Sequence, residues 1–397
     1  MSETQKHTKP NVPNLRFPGF SGEWKCSKLS TYLYENKERN RAGEFNKSDV
    51  LSVSGDCGIV NQIELLGRSF AGKSVADYHV VRTGNIVYTK SPLKEYPYGI
   101  VKYNSGKDGI VSTLYAVYHH RENVNGRFVE HYFTSPQRTN RYFKPIVRIG
   151  AKHDMKIGNN EVLDNTVLFP NLEEQNKITE LLDLLDKRIA IQNKVIEDLK
   201  KLKTALCDRL YNESTPNCRI GDIIEQLSAR NKDGNTKNVL SVSNRYGFIS
   251  QAEQFEERSI ASEDTTNYKV ARLNDFAYNP ARINVGSIAR LKRIEKGIVS
   301  PMYICFRCGE VVLPEFLEQF FSTKYFSLEV GKRLEGSVRM CLSFEGLCNI
   351  PISLPSLVQQ KGISEKINCL NKKFQIEENY LFALLNQKQY LLSHLFI

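Results

Sequence analysis

Segments of this chain recur at a nearly constant spacing, and a duplicated sequence folds as two copies of one unit. Val50-Leu-Ser-Val-Ser54 returns as Val239-Leu-Ser-Val-Ser243, an offset of 189. Gly109-Ile-Val-Ser112 returns as Gly297-Ile-Val-Ser300, offset 188, with Tyr115 matched by Tyr303. Phe128-Val-Glu-His-Tyr-Phe133 answers to Phe316-Leu-Glu-Gln-Phe-Phe321, and Phe169-Pro-Asn-Leu-Glu-Glu-Gln175 to Leu354-Pro-Ser-Leu-Val-Gln-Gln360. The small drift in offset means short loop insertions between otherwise equivalent copies. At 397 residues, each copy has enough chain for its own core.

Inside each copy, short β-branched and aromatic runs alternate with turn residues around a helical stretch, which predicts an α+β head. A long helix is expected to follow each head, starting after Pro170 and after Pro355, where proline suits a helix start. Alternating steps of four and three visit Ile178, Leu182, Leu185, Ile189, Gln192, Ile196, Leu199, Lys203, Leu206 and Leu210. The same steps visit Ile363, Ile367, Leu370, Phe374, Glu377, Leu381, Leu384, Lys388, Leu391 and Leu395. Both are coiled-coil seams, with polar members at equivalent places.

The resulting division is a first head at 1–170, a central helix at 171–213, a second head at 214–356 and a C-terminal helix at 357–397. Taking about 37 helical residues at ~1.5 Å of rise each, the central helix carries the chain ~55 Å from the first head. The second helix can then pair with it only by running back. The expected architecture is two similar globular domains joined by a long antiparallel two-helix coiled coil with an approximate two-fold axis.

The balance of 55 Lys and Arg against 44 Asp and Glu leaves a formal +11, which favours a polyanionic partner. The start of the chain is polar and no apolar run is long enough to span a bilayer, so the reading is a cytoplasmic protein with no membrane partner. Nine cysteines and no secretory signal argue against a disulfide framework. Cys305 and Cys308 lie in an apparent strand, where positions three apart face opposite ways and cannot share a zinc ion. Paired basic heads on a spacer suit a DNA-binding protein that reads two half-sites, while a scaffold with duplicated protein-binding heads stays open on geometry alone.

Three features together carry a family resemblance: Pro13-Asn-Leu-Arg-Phe-Pro-Gly-Phe-Ser-Gly-Glu-Trp24, the repeated Leu-Ser-Val-Ser strand, and Pro170-Asn-Leu-Glu-Glu-Gln175 leading into heptads. The chain resembles the DNA specificity subunit of type I restriction-modification systems over essentially its whole length. One departure is Val358, where the first copy has an acidic residue. The resemblance implies that each head is a target-recognition domain reading half of a split site in double-stranded DNA. It also implies helices that dock two modification (methyltransferase) subunits, with restriction subunits joining them. S-adenosylmethionine, ATP and magnesium would then belong to those partners, with no cofactor or metal on this chain. The residues agree with a non-catalytic chain. The nearest approach to an adenine methyltransferase's Asn-Pro-Pro-aromatic segment is Asn279-Pro-Ala-Arg282, and no Walker A sequence is present.

Candidate DNA contacts are basic, amide, hydroxyl and aromatic groups in loops that differ between the copies. In the first head these are Lys90, Ser91, Lys94 and Tyr96, then Arg138 and Arg141, then Lys152, His153 and Lys156. In the second they are Asn244, Arg245 and Tyr246, then Asn279, Arg282 and Asn284, then Arg333 and Arg339.

Overall fold

A computed structural model describes residues 10–149, 155–212, 215–244, 246–250, 264–337 and 339–397. The chain divides into two compact units. The first runs to Gln192 and takes in Tyr380–Ile397, and the second is Asn193–Asn379.

Each unit is built on a four-stranded antiparallel sheet with one strand order. In the first unit the order is Leu33–Glu35, Tyr115–His120, Ile86–Thr89, Val101–Tyr103. In the second it is Ile224–Leu227, Ile304–Cys308, Phe276–Tyr278, Ile288–Arg290. Register is kept as well, since Ile86 pairs with Tyr118 and Phe276 with Phe306. The repeated Leu-Ser-Val-Ser segments form Leu51–Ser54 and Val239–Ser243, each paired antiparallel with the strand that follows its turn. The repeat found in the sequence is therefore a repeat of fold.

The period of two along a strand explains how each sheet divides its unit. Ile86, Tyr88, Ala116 and Tyr118 face a large aromatic core that includes Phe128, Phe133, Phe143 and Phe169. Val87 and Val117, one residue along, face a smaller core with Leu51, Val81 and Val111. In the second unit Phe276, Tyr278 and Phe306 face the larger core, while Ala277 and Cys305 face the smaller one with Leu240 and Val299. Cys308 packs against the core opposite to that of Cys305, so the two thiols lie on different faces of the sheet. Ring stacking tightens both large cores, with Tyr88 on Phe143 at 4.5 Å and Phe276 on Phe306 at 5.1 Å. Each such aromatic contributes about 1.5–3 kcal/mol by leaving water.

The long helices are Leu172–Asn212 and Leu357–His394. Asn171 Oδ1 accepts the Glu174 amide at the first start, and Ser356 and Gln359 cap each other at the second. All twenty seam positions are buried or half-buried. In the first unit the beginning of the central helix meets the end of the C-terminal one. Ile178 and Leu182 share a core with Leu395 and Phe396, and Lys388 pairs with Asp186 at 2.5 Å. In the second unit Cys207 and Tyr211, at the end of the central helix, share a core with Ile367 near the start of the C-terminal one. The pairing inside each unit is thus antiparallel.

Candidate nucleic-acid interface

In the second unit, two loops far apart in sequence meet. Asn279 ends a central strand, and its Oδ1 accepts the Ala281 amide at 3.1 Å while its own amide bonds Ser287 O at 3.0 Å. That turn leads into a 3-10 helix at Ile283–Val285, closed by Gly286. The second loop, between Glu335 and Cys341, is pinned at its base by bonds in both directions between those residues, 3.0 and 2.8 Å. Gly336 sits there at φ +125°, and a Cβ would lie 2.3 Å from Arg339 O, so only glycine makes this turn. The Leu342 amide donates to Pro280 O at 3.1 Å, and Tyr278 Oη to Leu342 O at 3.2 Å, which lock the loops together.

Between them lies an open cleft of about 710 Å³, lined by Asn279, Arg282, Asn284, Met302, Arg339 and Met340, with Tyr303 on its wall. Four residues selected from sequence as contacts, Asn279, Arg282, Asn284 and Arg339, are thereby brought to one place. Arg282, Asn284 and Arg339 are exposed. Neither guanidinium has a hydrogen-bond or ion-pair partner among the described residues. Asn279 is buried, with its carbonyl oxygen spent on the turn, so it shapes the loop. Asn244 borders the same loop, its Cβ 3.7 Å from where a side chain on Gly286 would begin, and Tyr246 is exposed beside it. Arg245 lies outside the described residues. Arg333 does not join the cleft. Its Nη1 bonds both the carbonyl and the carboxylate of Glu329, at 3.0 and 2.5 Å, and Lys332 shares that carboxylate. Expected as a DNA contact, Arg333 is instead ion-paired within its own helix.

The first unit closes its equivalent loop more tightly. Tyr96 Oη donates to Thr134 O, and Lys90 Nζ donates to Asn159 Oδ1 at 2.5 Å. Asn159 in turn donates to Glu35 at 2.7 Å. Burial holds the Lys90 ammonium below its ordinary pKa, with nearby Glu35 working the other way. Ser91 and Lys94 stay exposed. Lys156 is exposed at the base of a hairpin in which Arg148 pairs with it, the counterpart of the Glu335–Cys341 pairing. Lys152 and His153 lie outside the described residues.

Arg138 is a correction. It is buried, with Nε donating to Tyr132 O at 2.9 Å, Nη1 to Leu392 O at 2.8 Å, and the guanidinium 4.5 Å from the Phe396 ring centre. A side chain so enclosed cannot reach a phosphate, and burial lowers its pKa to about 10. Arg141, three residues on, is exposed, with Nη2 donating to Ile397 O at 3.3 Å and its charge close to the Tyr132 hydroxyl. Sequence reasoning did not select Met302 and Met340, which are exposed in the cleft. For Met340, a large apolar side chain next to Arg339 in a short loop was the available signal.

Fold and site define a class: a tandem-headed α+β protein whose copies share a sheet and a heptad helix but differ in the loops at the sheet's end. Comparison with known proteins points the same way. The chain is 25% identical over 242 residues to the type I restriction enzyme MjaVIII specificity subunit of Methanocaldococcus jannaschii, a match covering 53% of this chain and 56% of that one. The match thus spans little more than half of that relative. Its fold is similar to the type I restriction-modification S subunit from M. genitalium, with 13% identity, TM-score 0.57, and 97% and 99% of the two chains covered. It is also similar to a chain in a structure concerned with complex assembly and conformational transition of the type I R-M system, with 15% identity, TM-score 0.56 and the same coverage. No family model matches the chain. The motif-based resemblance to type I specificity subunits therefore recurs in a curated relative and in solved folds. Among the described residues no helix is long and apolar enough to cross a membrane.

Proposed function

We propose that this chain is the DNA-recognition subunit of a type I restriction-modification complex, each head reading one half of a bipartite, asymmetric sequence. It is non-catalytic and works in the cytoplasm, directing two methyltransferase subunits and the restriction subunits to the site. Those partners supply S-adenosylmethionine, ATP and magnesium chemistry. The observation that carries the reading is the pairing of one sheet register with two unlike loop sets. Two copies of a scaffold have kept the same strand order while the loops at equivalent strand ends differ in length, charge and partners. Recognition of two different half-sites requires that combination, whereas duplicated heads for one protein partner would keep their loops alike.

The test is reconstitution. The chain mixed with its methyltransferase partner should methylate only DNA carrying one bipartite sequence, and the chain alone should methylate nothing. Methylation by the chain alone, or a complex indifferent to sequence, would defeat the reading.

A further inference from the structure

The cleft of the second unit goes further than generic DNA contact, because its groups differ in chemistry and in how firmly they are held. The inference rests on the DNA-recognition reading and gives that head a base preference.

Arg282 is fixed through its backbone. Its amide bonds Asn279 O at 3.0 Å, and its carbonyl accepts from Val285 at 3.2 Å and Ser287 at 3.1 Å. The guanidinium projects into the cleft without a partner among the described residues. A fork of donors carried on a fixed stretch of backbone matches the paired O6 and N7 acceptors that guanine presents in the major groove. Beside it, Met302 and Met340, exposed at 57% and 48%, line the same cleft as the two arginines. In the major groove the apolar feature that such side chains meet is the 5-methyl group of thymine. Arg339 stands exposed on the second loop and lines the same cleft, where its guanidinium can meet a backbone phosphate. The residues lining the cleft include two arginines and no carboxylate.

We infer that this cleft reads a guanine through Arg282, with a thymine beside it received by Met302 and Met340 and a phosphate held by Arg339. The wild-type complex of the chain with its methyltransferase partner would first be used to map the methylated sequence. Duplexes would then be made with 7-deazaguanine at each guanine in turn, which removes N7 alone, and with uracil at each thymine, which removes the methyl group alone.

One guanine should stand out. Its replacement should weaken wild-type binding about tenfold, yet leave an Arg282→Ala complex unchanged, while the other guanines behave alike in both. Uracil at the neighbouring thymine should cost a few-fold in the wild type and nothing in a Met302→Ala/Met340→Ala complex. Arg339→Ala should weaken all sequences equally and reduce the slope of log binding against log salt by about 0.9. If no guanine loses its effect in Arg282→Ala, or if Arg282→Ala weakens every sequence alike, the assignment is overturned while sequence-specific methylation stands. If the wild-type complex ignores sequence altogether, the parent reading fails instead.

Discussion

The side-chain oxygen of Gln360 accepts the backbone amide of Leu313 at 2.8 Å, across 47 residues of sequence. Its Nε2 donates to Val311 O and to Pro355 O, both at 2.9 Å. Gln175 repeats this in the other copy, accepting the Asn125 amide at 3.0 Å and donating to Pro170 O at 3.0 Å and Asn123 O at 3.4 Å. Both glutamines are fully buried. The repeated Pro-x-Leu-x-x-Gln motif is thus a clamp between the long helix and the loop entering the shorter helix of the same unit.

Gln360→Leu keeps the volume and strands one amide and two carbonyls. With about 1–3 kcal/mol for each buried group left unsatisfied and some relaxation, it should destabilise the second unit by about 2–4 kcal/mol. Urea unfolding of the full chain would check this, and wild-type stability for the variant would mean the bonds contribute nothing net.

What the sequence revealed and what it hid divide along range of interaction. The heptads were legible because a helical seam is local, and every seam position is buried or half-buried. The clamp was visible as a motif but not as a contact, since its partner lies tens of residues away. Asn279, Arg282 and Asn284 are far in sequence from Arg339, and hydrogen bonds of Leu342 to Pro280 and Tyr278 join their loops. Arg138 was misjudged for the same reason. On its own short helix it looks like Arg141, and its burial depends on Leu392 and Phe396, more than 250 residues further on.

That contrast gives the second prediction. Arg138→Ala removes two backbone hydrogen bonds and the stem packed on Phe396, and should cost the first unit about 2–4 kcal/mol. Arg141→Ala should leave the melting temperature within about a degree and weaken DNA binding uniformly across sequences, as a phosphate contact does. Thermal melts beside binding at two salt concentrations separate the two residues.

His79 predicts a pH dependence. It is buried on a strand of the first unit, and its pKa is lowered to about 4 by burial and by the nearby positive charges of Arg39 and Lys90. The unfolded chain binds a proton near pH 6.5 and the native state does not, so acid favours unfolding. Stability should be flat above pH 7 and fall by about 3 kcal/mol between roughly pH 6.5 and 4 on account of this residue. His79→Gln should flatten that interval in a series of urea titrations. An unchanged slope would place the acid sensitivity elsewhere.

Lys90 and Lys94 share one loop but are held differently, and they should behave differently on DNA. Lys94 is exposed, with no hydrogen-bond or ion-pair partner among the described residues, which suits a phosphate contact. Lys94→Ala should reduce the salt slope of binding by about 0.9 and leave the recognised sequence unchanged. Lys90 is held at a fixed point by Asn159, itself anchored to Glu35, and the tether gives its ammonium a defined direction. Lys90→Ala should therefore relax recognition at a single position of one half-site, by about 1–3 kcal/mol, and Asn159→Ala should reproduce that relaxation in weaker form. Binding across a library varied at every position of the bipartite site distinguishes the cases. If Lys90→Ala lowers affinity evenly across that library, Lys90 is a phosphate contact like its neighbour.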